Sequence, residues 1–124
     1  MALEKDYLES LLSFWQSALF LSDWSIQIEA ASAAKMAKKE PGAKGHIVWH
    51  AVEKTAKILI LSRKELANLK KKEALHKDET QESIIVHELL HLITDNVVHG
   101  QDSEEALINT IARSLILLKR GQSA

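Results

Sequence analysis

Two histidines and a glutamate at a fixed spacing are the residues of this chain best suited to chemistry. His87, Glu88 and His91 form the pattern H-E-x-x-H inside the apolar stretch 82–96. On a helix, His87 and His91 are four residues apart and therefore lie on one face, one turn from each other. Two imidazole nitrogens placed in this way can bind one zinc ion. Glu88 can then accept a proton from a water molecule that the ion polarises, so the pattern indicates a metallohydrolase, most often a metalloprotease.

A third metal ligand is expected, because catalytic zinc ions usually have three protein ligands and one exchangeable position. Glu104 and Glu105 stand near the start of a predicted helix over 103–120, thirteen and fourteen residues after His91. We favour Glu105, because Asn109 lies four residues further on the same face and can hydrogen-bond a ligating imidazole.

Three alternatives stay open for this part of the chain. Glu104 can be the ligand instead, or Glu105 can complete a helix capping box with Asp102. His99, eight residues after His91, is a further candidate for the third ligand. It can also be a donor on the substrate side or a surface histidine of a loop.

Hydrophobic periodicity predicts the elements that must position these residues. A polar turn at 53–55 indicates that the second and third strands form an antiparallel hairpin. The segment 30–44 is either a short helix or a mobile loop, and Asp78 with Gln81 is predicted to cap the helix that carries H-E-x-x-H. His46 and His50 share one face of the second strand, where either could face a cleft, although we expect them to be exposed. The predicted elements are a helix over 3–21, strands over 24–29, 45–52 and 56–61, a short helix over 63–69 capped by Ser62, and helices over 82–96 and 103–120.

Composition bounds the class of protein. The chain has 124 residues, 46% of them hydrophobic and 27% charged, which predicts one globular domain over 1–124. It has no cysteine, so a zinc ion would be held by His, Glu or Asp. A net charge of −1 gives no reason to expect a nucleic-acid partner. No apolar run is long enough to span a membrane and no signal peptide is recognised, so we expect a cytoplasmic protein.

In three segments the chain resembles the small single-domain metallopeptidases of the zincin superfamily that occur in phages and bacteria. The resemblance implies an α+β minimal zincin-like fold, in which a small three-stranded twisted sheet packs on an N-terminal helix, the H-E-x-x-H helix and a C-terminal helix. In the gluzincin class the third ligand is a glutamate on the following helix, with an acidic or amide residue four places on. The resemblance therefore implies His87, His91 and Glu105 as zinc ligands and Glu88 as general base. The three segments are 24–28, 45–60, and 86–92 together with 104–113.

One departure from the gluzincins concerns the group that stabilises the oxyanion. In those proteases a second lobe supplies a Tyr or His, whereas this chain has a single tyrosine, Tyr7, in its first helix. The leading prediction is a zinc-dependent peptidase that binds an extended peptide or protein substrate along the sheet edge. The alternatives are a non-catalytic zinc-binding regulatory module, and a SprT-like protease or other zinc hydrolase that uses His99 as third ligand.

Overall fold

Five helices and three strands make up the parts of the chain that the computed structural model describes, residues 2–71, 80–94 and 101–123. The α+β class and the small three-stranded sheet are confirmed. In chain order the elements are α1 (Ala2–Ala18), β1 (Ser25–Ala31), α2 (Ala33–Lys39), β2 (Gly45–His50), β3 (Thr55–Leu61), α3 (Arg63–Lys71), α4 (Gln81–Thr94) and α5 (Gln101–Ser123).

The sheet is mixed, with the strand order β1-β3-β2. β2 and β3 form the predicted antiparallel hairpin, in which Gly45 pairs with Ile60 and Ile47 pairs with Ile58. β1 pairs with β3 in parallel, and Ile28 also lies opposite Ile58. The connection through α2 therefore carries the chain past β3, and it leaves β2 at the outer edge of the sheet.

The core lies on both faces of β3, because alternate residues of a strand point to opposite sides. Ile58 and Ile60 are fully buried on the side of α4, where α1 also packs. Leu59 and Leu61 are buried on the opposite side. This packing fixes α4 firmly against the sheet, and α4 is the helix that carries H-E-x-x-H.

The N-terminus of α4 is capped by Thr80. The Ser83 backbone N–H donates to Thr80 Oγ1 at 3.1 Å, and the Thr80 N–H donates to Ser83 Oγ at 2.9 Å. Asp78 lies outside the described residues. The side-chain amide of Gln81 is buried at the end of β3 and therefore needs a hydrogen-bond partner. Its nitrogen donates to the Leu61 carbonyl at 3.1 Å. The predicted cap of α3 is confirmed, since the Glu65 N–H donates to Ser62 Oγ at 3.3 Å.

Several predicted boundaries need correction. α1 ends at Ala18, three residues before the predicted end, and the segment after β1 forms the helix α2. Tyr7 and Phe14 are half exposed, and each ring lies beside a cation. Ile93 of α4 is also partly exposed. No helix in the described ranges is both long enough and apolar enough to cross a membrane.

Candidate metal centre

α4 and α5 run antiparallel, and their contact brings the predicted ligands together. Asn109, early in α5, contacts His87, while Lys119, late in α5, donates to Glu82 at the start of α4. In the same interface the donor atoms of His87, His91 and Glu105 all lie within 4.8 Å of one another. This group of three residues could hold a metal ion.

The Glu105 carboxylate bridges the two imidazoles. Its Oε2 lies 3.2 Å from His87 Nε2, and its Oε1 lies 3.2 Å from His91 Nε2. The imidazole centroids are 5.1 Å apart, as expected for positions i and i+4 on α4. Two imidazole nitrogens and one carboxylate oxygen that converge in this way form a donor set that suits zinc. The residues present therefore fit the metal that the sequence pattern predicts.

The capping alternative for Glu105 does not agree with this arrangement. α5 begins at Gln101, so Asp102 lies inside the helix instead of at its N-cap. The Glu105 carboxylate points to the histidines of α4. The side chain of Glu104 and the whole of His99 lie outside the described residues, so their role as alternative ligands stays a prediction.

Asn109 orients one of the two imidazoles. Its Oδ1 lies 2.9 Å from His87 Nδ1, where the amide oxygen can accept a hydrogen bond from the ring N–H. This bond places the ring proton on Nδ1 and leaves the lone pair of Nε2 directed at Glu105 and His91. The tautomer that this contact favours is thus the one that a metal ligand requires.

Glu88 lies beside the three ligands and is nearly sealed from solvent, with 6% of its surface exposed. Burial and, to a smaller extent, the negative charges of Glu105 and Glu40 together raise the pKa of its carboxyl group to about 8. A carboxyl group with a pKa near neutrality can both accept and return a proton. The Glu88 carboxyl group is therefore placed beside the candidate ligands, in an environment that favours its protonated form near neutral pH.

Gly45, the first residue of β2, allows the sheet to approach Glu88. A Cβ atom at this position would lie 2.6 Å from Ile84 Cγ2 and 2.9 Å from Glu88 Oε2. Both distances are below ordinary contact, so a larger residue would displace α4 or the Glu88 side chain. A glycine at the start of a strand can indicate that a neighbouring element packs closely against the strand backbone. The sequence therefore contained a signal for this contact.

A cleft of about 990 Å³ opens over the three candidate ligands. Its walls are β2 with the segment before it on one side, and the solvent side of α5 on the other. His46 lines the cleft with its Nδ1 3.1 Å from Glu40 Oε1, whereas His50 is exposed outside it. The prediction that both histidines lie on an exposed strand face is therefore wrong for His46, because β2 is an edge strand beside the cleft.

Sequence reasoning also missed the charged residues that line this cleft beyond the candidate metal ligands. Their sequence positions show no pattern, since they come from the segment between α2 and β2 and from the outer face of α5. These residues are Glu40, Lys44, Arg113 and Arg120.

Comparison with known proteins finds no relative of this chain. No protein-family model, no curated protein sequence and no solved structure matches the chain.

Proposed function

We propose that this protein is a zinc-dependent peptidase with a zincin-like architecture. The observation that supports the proposal most strongly is the convergence of His87, His91 and Glu105 on one point at the floor of a cleft. Two histidines and a glutamate are the ligand set of well-studied zinc peptidases, which keep a fourth position for water or substrate. Glu88 lies next to this set, as the H-E-x-x-H pattern requires of a general base.

Each residue of the site has a separate task in the proposed reaction. Zinc, when bound, would supply a Lewis acid that polarises the scissile carbonyl and acidifies a water molecule. Glu88 accepts the proton of that water and then returns it to the nitrogen of the leaving amine. Burial raises the pKa of Glu88, so that its carboxyl group is mostly protonated at neutral pH in the metal-free chain. A nearby cation is needed to favour the ionised form that acts as a base.

The edge of the sheet offers a binding mode for an extended peptide. β2 is the outer strand, and among the described residues its free side has no strand partner. The same strand lines the cleft and contacts α4 through Gly45. A peptide added along this edge would form main-chain hydrogen bonds and pass over the candidate ligands.

Hydrolysis of a mixed peptide library by the zinc-loaded protein, read by mass spectrometry, tests the proposal. The wild type should cleave peptides, and Glu88→Gln should keep its zinc but lose hydrolysis. Glu9→Gln, an exposed change of the same kind on α1, serves as the matched control and should remain active. Full activity of Glu88→Gln would refute the assignment of the base. Stable zinc binding without cleavage by the wild type would favour the non-catalytic zinc module.

A further inference from the structure

Positive charge is concentrated in one part of the chain. Residues 32–71 contain ten basic and three acidic residues, whereas the rest of the chain contains six basic and fourteen acidic residues. The two parts therefore carry formal charges of +7 and −8, which the net charge of −1 conceals. The basic part includes the helices α2 and α3 as well as the strands β2 and β3.

Five exposed lysines of α2 and α3 have no ion-pair or hydrogen-bond partner among the described residues. The other basic residues of the same part do have contacts within the chain. Lys35, Lys54 and Lys57 form ion pairs with carboxylates. Arg63 lies over the Tyr7 ring, and Lys44, which lines the cleft, also interacts within the chain. The five remaining lysines, which we call the basic surface, are Lys38, Lys39, Lys64, Lys70 and Lys71.

α2 and α3 begin side by side, at the carboxyl ends of β1 and β3. Ala31 and Leu61 are paired at these ends, and the Ala33 backbone N–H, at the start of α2, donates to the Glu65 carboxylate of α3. At a rise of about 1.5 Å per residue, the two helices extend roughly 10 Å and 13 Å from this junction. The helix positions of the basic surface therefore lie within about 30 Å of one another, close to the length of one turn of duplex DNA.

The basic surface is separate from the candidate metal centre. None of its five lysines lines the cleft. α2 lies on the side of the sheet opposite α4, because its Lys35 pairs with Glu29, which is in register with Leu59 and shares the side of that residue. Substitutions in the basic surface can therefore be made without changing the candidate ligands.

Interaction with the helix dipole accounts for only part of this arrangement. Lys38 and Lys39 lie in the last turn of α2, and Lys70 and Lys71 lie in the last turn of α3, where cations are favoured. Lys64 lies in the first turn of α3, where the dipole disfavours a cation. The dipole also gives no reason for two lysine-rich helices to begin at the same point.

The composition of the two helices favours nucleic acid as the partner over protein or membrane. Lysine is depleted in protein interfaces, which depend on aromatic and apolar anchors, and binding in the plane of a membrane needs apolar side chains that insert. α2 and α3 are both described in full, and neither has an exposed large hydrophobic residue. Neither has an aromatic residue on which the bases of a single strand could stack. A duplex backbone, by contrast, requires only closely spaced cations.

We propose that the basic surface binds the phosphate backbone of duplex nucleic acid without reading its sequence. Lysine ammonium groups neutralise phosphates and release counterions, and this contribution does not depend on the bases. Because α2 lies on the other side of the sheet from α4, a bound duplex leaves the cleft open. The inference does not depend on the proposed peptidase function, since it concerns different residues and a different ligand.

Fluorescence anisotropy of the full chain with a fluorescein-labelled DNA duplex of about 20 base pairs tests the inference. Each lysine that neutralises a phosphate adds about −0.9 to the slope of log K against log salt, so we expect a wild-type slope of about −3 to −4.5. Lys38→Gln with Lys39→Gln, and separately Lys64→Gln with Lys71→Gln, should each weaken binding about tenfold at low salt and make the slope shallower by about 1.8. Lys54→Gln with Arg120→Gln removes equal charge from exposed residues outside α2 and α3, and this control should change the affinity less than about twofold.

Three outcomes would overturn the inference. One is no salt-dependent binding of the duplex by the wild type, or binding that both lysine pairs leave unchanged. Another is equal loss of affinity in the control variant, which would show that only total charge matters. The third is binding of a labelled poly-glutamate peptide, of vesicles with phosphatidylserine or of the single strand that is as tight as binding of the duplex. Peptide cleavage by the zinc-loaded wild type is a separate readout, so the peptidase proposal and this inference can fail independently.

Discussion

Asn109 on α5 and His87 on α4 contact each other across the helix interface, with Oδ1 2.9 Å from Nδ1. Asn109 is also one helical turn beyond Glu105, whose carboxylate bridges His87 and His91. A single turn of α5 thus supplies both a candidate ligand and the group that orients another. α4 supplies the two imidazoles and the proposed base, so the packing of two helices assembles the site.

Removal of the Asn109 amide should weaken metal binding without unfolding the chain. We expect Asn109→Ala to lower zinc affinity about 10-fold to 100-fold, because the His87 ring loses the partner that sets its tautomer. Competition with a chromogenic chelator measures this change. Ser114→Ala removes another polar group from the cleft wall of α5 and should leave the affinity unchanged. Equal affinities of Asn109→Ala and wild type would contradict the orienting role.

Substitution of Gly45 should affect both stability and activity. The Cβ atom of Gly45→Ala would meet Ile84 and Glu88 at 2.6 Å and 2.9 Å, so we expect a loss of about 1–3 kcal/mol in the free energy of unfolding. Hydrolysis should fall as well, because Glu88 must move. Urea denaturation and peptide cleavage provide the two measurements. Gly121→Ala is the control, since nothing lies within 4 Å of its Cβ position and a helix favours alanine. A Gly45→Ala protein as stable as wild type would argue against the close approach.

Burial of Glu88 should make the metal-free protein less stable as pH rises. Its pKa is about 8 in the folded chain and 4.5 for an ordinary glutamate, so between these values the folded state binds more protons than the unfolded state. The stabilisation from this group is complete below about pH 4.5 and is lost as pH rises through about 8.

Urea denaturation in the presence of a chelator, from about pH 6 to about pH 8.5, tests this dependence. The stability of the wild type relative to Glu88→Gln should fall over this range, by an amount on the order of 3 kcal/mol. Glu88→Gln is the reference because it removes only the titratable carboxyl group of this residue. A difference that does not change with pH would show that Glu88 is ionised throughout this range.

Glu82 joins three helices and should matter for stability more than for the metal site. Its Oε2 accepts a hydrogen bond from Trp15 Nε1 at 2.7 Å and another from Lys119 Nζ. Glu82→Ala would leave the Trp15 N–H without its partner in a largely buried position, and should cost about 1–3 kcal/mol. Chemical denaturation with zinc analysis alongside measures both effects, and Glu9→Ala on the exposed face of α1 is the control. Unchanged stability, or loss of zinc at unchanged stability, would contradict this assignment.

Local sequence patterns predicted the elements of the fold and the residues that the centre brings together. The spacing of His87 and His91 and the pairing of Glu105 with Asn109 are helical periodicities, which short segments encode by themselves. The β2–β3 hairpin was predictable for the same reason, since a short polar turn separates its strands.

Features that depend on distant segments were not predictable in this way. The parallel pairing of β1 with β3 makes β2 an edge strand, and no local pattern in β2 indicates its neighbour. The burial of Gln81 against the Leu61 carbonyl depends on how α4 meets the sheet. The arginines of the cleft wall resemble ordinary surface residues until α5 is placed opposite β2.

The zinc content of the purified protein tests the central claim, that His87, His91 and Glu105 form one metal site. Elemental analysis should find one zinc ion per chain in the wild type and in His99→Ala, and loss of zinc in Glu105→Ala. Circular dichroism of each variant shows whether a variant that has lost zinc is still folded. A folded Glu105→Ala protein that retains zinc would contradict the claim, and loss of zinc in His99→Ala at the same time would assign the third position to His99.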